Sequence, residues 1–173
     1  KTSGAATKAL KGIMALIGGA TAALGGLLKF SMDNADELQQ MSDVTGFTAE
    51  QLQIMRYQGS ALGVELNTMT GAQSKLIKAM AAANTGKSGP NAQAKAFQEL
   101  GIQVRDSAGH LRDSNTVFEE AISKLGGVKN ETDRDALAMQ LFGKSAMELN
   151  PLIKAGGDQL AQMADEAKKN GAV

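Results

Sequence analysis

Positions 141–153 read LFGKSAMELNPLI and pack a helix stop, a helix start and a proline into one short stretch. That punctuation rules out one uninterrupted rod through this part of the chain. Gly143 is a natural C-terminal stop for a helix ending at Phe142, because glycine takes a left-handed backbone without a Cβ clash. Ser145 and Glu148 have the spacing of a capping box, in which each side chain takes a backbone N–H that a new helix leaves unpaired. Pro151 has no N–H, fixes its own φ and restricts Asn150. Gly143, Ser145, Glu148 and Pro151 are therefore the expected structural joint. None of them supplies reaction chemistry. They point to a protein whose task is shape.

Composition narrows the function classes. Lys+Arg and Asp+Glu are both 18, so net charge is zero and no basic surface is available for a general grip on nucleic acid. Aromatics make up 3% of the chain, which leaves Ala, Leu, Met and Gly to do most of the packing. With no cysteine, disulfides, thiolate zinc sites and thiol nucleophiles are excluded. The chain opens on Lys1 and reads as a piece of a longer polypeptide.

Residues 12–28, GIMALIGGATAALGGLL, are 17 uncharged positions between Lys11 and Lys29. Seventeen is the lower edge of a bilayer-crossing helix. The run is also small-sided, with Gly12, Gly18, Gly19, Ala22, Gly25 and Gly26. Gly18, Ala22 and Gly26 form a small-xxx-small ladder, the spacing that lets helix backbones approach closely in membranes and in bundles. Two readings compete: a helix packed against copies of itself or another chain, and a segment that inserts into a membrane at some stage. Each glycine weakens a helix by about 1 kcal/mol, which favours close packing over insertion.

The rest of the chain predicts a mainly α protein. A long Ala/Gly-rich helix occupies 1–45, followed by several short amphipathic helices and one small β-hairpin near 102–113. Gly46 ends the first helix. Thr48 and Gln51 form a capping box that starts a second, with Leu52, Met55 and Tyr57 inward. A third runs over 65–83 with an apolar stripe of Leu66, Met69, Ala72, Leu76, Ile77 and Met80. Residues 46–83 thus form a helical pair, and 84–90, NTGKSGP, a linker. Residues 91–173 form a second helical module. Its first short helix carries Ala94, Phe97 and Leu100. In the hairpin, Ile102 and Val104 alternate with polar neighbours around an Asp106–Gly109 turn. Ser114 or Asn115 caps the next helix, Thr132 the one after it, and a last amphipathic helix covers 157–169.

Sites for reaction chemistry are missing. Gly86, Lys87 and Ser88, like Gly143, Lys144 and Ser145, imitate the end of a phosphate-binding loop. That loop needs a glycine five residues before its second glycine, and Ala81 and Ala138 stand there. His110 is the sole histidine, so no His-based metal cluster or HExxH can be assembled. No GxSxG elbow exists to recruit it. The carboxylates Glu119, Glu120, Asp133 and Asp135 read as solvated helix faces beside Lys124 and Arg134. No catalytic, cofactor-binding or metal-binding residue is expected.

Two segments resemble the phage tail tape measure protein family. One is ADELQQMSDVTGFTAEQLQIMRYQGSALGVELNTM, residues 35–69, preceded by the apolar run. The other spans 94–157 and holds, in order, GIQV, DSAGHLRDS, ALAMQLFG and KSAMELNPLI. This segment, lacking site chemistry, is not expected to be an enzyme. The resemblance implies a virion component of long-tailed phages or prophages that lies in the tail lumen. It implies a role in setting tail length during assembly in the host cytoplasm, and release ahead of the DNA at ejection. The partners it implies are further copies of the chain, tail tube, tail tip and assembly chaperone proteins, with the host envelope reached at infection. It implies no sequence-specific nucleic acid. A helix rises about 1.5 Å per residue, so residue count can encode length. The stops between residues 35 and 157 instead suggest a jointed module beside the ruler. The alternative is a membrane-active or pore-forming helical protein acting through residues 12–28.

Overall fold

The computed structural model describes residues 35–83 and 90–172, and over them the chain is mainly α-helical. The helices are α1 (Ala35–Thr45), α2 (Ala49–Leu62), α3 (Leu66–Ala82), α4 (Ala92–Glu99), α5 (Ser114–Gly126), α6 (Glu131–Phe142) and α7 (Asn150–Lys169), with a 3-10 turn at Gly143–Ala146. The expected helix over 1–45 is therefore described only as α1. The run 12–28, with Gly12, Gly18, Gly19, Ala22, Gly25 and Gly26, lies outside the described residues.

Local chemistry sets most boundaries. Thr48 Oγ1 accepts from the Gln51 N–H at 3.2 Å while Gln51 Oε1 accepts from the Thr48 N–H at 2.9 Å, so the reciprocal box starts α2. Gly63, at φ 73°, ends it. Asn91 caps α4, and its Nδ2 also donates to the Ala82 carbonyl at 2.6 Å, tying α4 to the end of α3. Two expected caps move. Asp113, not Ser114 or Asn115, caps α5, because its carboxylate accepts from both the backbone N–H and the hydroxyl of Thr116. Asn130, not Thr132, caps α6, accepting from the N–H groups of Thr132 and Asp133. A carboxylate or amide one or two residues earlier reaches the same orphan donors.

The expected β-hairpin is reduced to a single antiparallel bridge between Arg105 and Leu111, and no strand occurs among the described residues. Asp106 Oδ1 accepts from the N–H groups of Ala108 and His110, so the side chain closes the loop on itself. Ile102 is drawn into the core while Leu111 stays 43% exposed, leaving no apolar face that would reward a longer ladder.

α3 is the hub. It packs against α1, α2, α4, α5, α6 and the 3-10 turn, and buries Met69, Ala72, Leu76 and Met80. Ile77 departs from the expected stripe and is 38% exposed, since it falls off the face that those four define. One core cluster draws on residues from both sides of 84–90, from Leu38 to Ile153. Phe118 sits within it, edge-on to Phe47 at 6.0 Å and to Phe142 at 5.5 Å between ring centroids. Beneath that trio lies one polar link. Gln73, fully buried, donates through Nε2 to Asn115 Oδ1 at 2.8 Å, and Asn115 Nδ2 donates to the Gly46 carbonyl at 2.8 Å. Gln73 Oε1 has no partner.

Candidate functional site: the joint and the groove under α7

The chain turns at 143–151, but not as the sequence suggested. Gly143, at φ 61°, ends α6 after Phe142. Ser145 does not cap a new helix and forms no box with Glu148. Instead it lies inside the 3-10 turn, and its carbonyl accepts from the Leu149 N–H at 3.1 Å. Glu148 faces another element, accepting from the Thr68 hydroxyl at 2.9 Å. Helix α7 starts at Asn150 with Pro151 in its first turn and no side-chain cap at Leu149. Packing explains the difference. Phe142, Ala146, Leu149, Leu152 and Ile153 are all buried, so the core dictates a tight turn and leaves no room for the extended residue a capping box requires.

α7 extends back to Asn150 rather than beginning near 157, and is broken by Gly156 at φ 74°, ψ 170°. The break coincides with a close crossing of α5. A Cβ on Gly126 would lie 2.7 Å from the Ile153 carbonyl oxygen and 3.1 Å from Gly156 Cα. A Cβ on Gly157 would collide with the Ser123 side chain. Gly126 and Gly157 thus let two backbones meet where a side chain would hold them apart, and Gly156 supplies the positive φ of the break. From the sequence the last helix starts at Gly157, and the crossing partner Gly126 is reachable only through the tertiary fold.

Past the kink, α7 lies across α2 and encloses a groove of about 560 Å3 with α5. Met55, Met69, Phe118, Ile122 and Leu152 line its floor. Glu50 and Lys168 bridge one side at 2.9 Å, and Gln58 Nε2 donates to the Leu160 carbonyl at 2.9 Å. Tyr57 is raised above the ordinary phenol range by burial first and by the charge of Glu166 second, with a hydrogen bond to Asn170 acting against both. Glu119, on the rim, is raised by partial burial and then by Asp113. Glu120, its neighbour, is lowered by its hydrogen bonds to Arg112, at 2.8 and 3.1 Å.

None of this assembles a nucleophile, a base and an orienting group. His110 is exposed, with Nδ1 3.7 Å from Asp106 Oδ2, and does not line the groove. Gly143, Lys144 and Ser145 follow a helix, and Ala138 is buried inside it. Among the described residues no cluster of three or more His, Cys, Asp or Glu could hold a metal ion, and no helix is long and apolar enough to cross a membrane. Comparison with protein-family models, with curated proteins and with solved structures finds no match.

Proposed function

We propose that this chain is a folded, jointed segment of a phage tail tape measure protein, a structural virion component carried in the tail lumen and released at DNA ejection. The observation that carries the reading is the sequence resemblance over 35–69 and 94–157. Those residues are the ones that build α1, α2, the start of α3, and the run from α4 to the kink in α7. Along that run the distinctive positions do mechanical work: they cap, stop, cross and turn helices. A module of this kind joins ruler segments, and its partners are other copies of the chain and the tube, tip and chaperone proteins of the tail. Enzymatic activity forms no part of the proposal.

Mass spectrometry and gold labelling of purified tails test it. The full chain should be found inside tails, and removing residues 35–172 from it should leave tails aberrant or absent. A chain missing from particles, with normal tails after its deletion, would overturn the assignment.

A further inference from the structure

The two arms of α7 are held very differently. The first, 150–155, buries Leu152 and Ile153 in the main core. The second, 157–169, contributes nothing buried to that core. Its Met163 and Ala167 form a separate small cluster with Tyr57 on α2. Leu160 packs, half-buried, against both that cluster and the main core, and Gly157 lies close against Ser123 of α5. The arm's polar ties are the Gln58 hydrogen bond, the Tyr57–Asn170 contact and the Glu50–Lys168 pair. Both members of that ion pair are more than half exposed, a setting in which such pairs contribute little. The groove lies between the arm and the residues of the main core that form its floor, so the arm's buried contacts are with α2 rather than with that core.

The element between the arms is a glycine in a non-helical conformation flanked by helix on both sides. Ordinary helical dihedrals at that one residue would align the arms into a single helix over Asn150–Lys169, about 30 Å long. The straight form recovers helix hydrogen bonds at the kink and gives up the small cluster. The bent form keeps the cluster and spends the kink.

We propose that Gly156 is a two-state joint. Bent, the arm 157–169 straps α2 and covers the groove; straight, α7 is one continuous helix, the arm stands clear of α2, and the floor formed by Met55, Met69, Phe118, Ile122 and Leu152 is open. An arm whose buried cluster is separate from the main core, turning on one backbone position, is the hinge geometry of many conformational switches. The joint follows from α7 alone and stands whether or not the chain belongs to a phage tail.

The chain has no cysteine, so Ala49→Cys and Lys169→Cys, both at exposed positions, give two unique sites for spin labels. In the bent state the labels sit at adjoining ends of α2 and α7, and the measured distance is short. Gly156→Ala penalises the left-handed backbone and favours helix, and both effects raise the straight population, together by at least about thirtyfold. A second, longer distance should appear, displaced by more than about 10 Å because the arm is itself about 20 Å long, with far-UV helicity retained. Met163→Asp, which loosens the strap without touching the joint, should produce the same long distance. Gly171→Ala places the same left-handed strain beyond the arm, at φ 68°, and should leave the distance short. The proposal fails if Gly156→Ala and Met163→Asp both keep the short distance, if the long distance comes with lost helicity, or if it depends on protein concentration.

Discussion

Thr68 on α3 donates its hydroxyl to Glu148 at 2.9 Å, fastening the turn between α6 and α7 to the central helix. The contact is exposed on the Glu148 side, whereas the next residue, Leu149, is fully buried. The turn is therefore held mainly by apolar packing. Glu148→Ala should cost less than about 1 kcal/mol, and Leu149→Ala about 2–5 kcal/mol. Urea unfolding of the two variants separates them, and equal losses would assign the turn to its polar contact.

The buried amide pair predicts a larger penalty than the exposed Glu148 contact. Asn115→Ala removes one of the two acceptors of the buried Gln73 Nε2 and the side-chain donor to the Gly46 carbonyl, two hydrogen bonds that together should cost about 1–3 kcal/mol. Ser114 Oγ also accepts from Gln73 Nε2, at 3.1 Å, but Ser114→Ala leaves the Asn115 bond intact and should be nearly silent. A double-mutant cycle across Gln73 and Asn115 should return a coupling of about 0.5–3 kcal/mol. Additive losses would mean that the two amides do not act as a unit.

What could be read from the chain was local. The Thr48–Gln51 box needs only residues within one helical turn, and it forms as spaced. Gly63 and Gly143 end helices for the same local reason. Asn115 shows the limit: as a sequence it is a good cap, yet Asp113 takes that role and the fold buries Asn115 against Gln73, 42 positions away. Ser145 and Glu148 had capping spacing, but the burial of Ala146 and Leu149 overrode it. The groove was not legible at all, because it depends on where α7 crosses α5, and that crossing is set by Gly126 meeting Gly156 across the tertiary fold.

Neighbouring carboxylates should give opposite acid responses. Arg112 lowers the Glu120 pKa, so its contribution is present above the unfolded value near 4.5 and is lost as pH falls through the lower folded value. Burial raises the Glu119 pKa, so its contribution is complete only below the unfolded value and is lost as pH rises through the folded one. At neutral pH, Glu119→Gln should be neutral to stabilising and Glu120→Gln destabilising, both by less than about 1 kcal/mol given their solvent contact. NMR titration of the two side chains checks the order: a Glu120 midpoint at or above that of Glu119 would contradict it.

Glycines at two helical positions should respond to alanine with opposite signs. Gly71 in α3 has no atom within 4 Å of an added Cβ, so Gly71→Ala gains helix propensity and should stabilise the fold by about 0.5–1 kcal/mol. At Gly126 the same methyl meets the Ile153 carbonyl oxygen at 2.7 Å and Gly156 Cα at 3.1 Å, both backbone atoms that no rotamer change can move aside. The crossing of α5 and α7 would have to open, which costs about 1–3 kcal/mol by analogy with overpacked cores and outweighs the propensity gain. Thermal unfolding of the two single variants reads the difference directly. A Gly126→Ala protein as stable as the parent would show that the two helices do not meet backbone to backbone at this point.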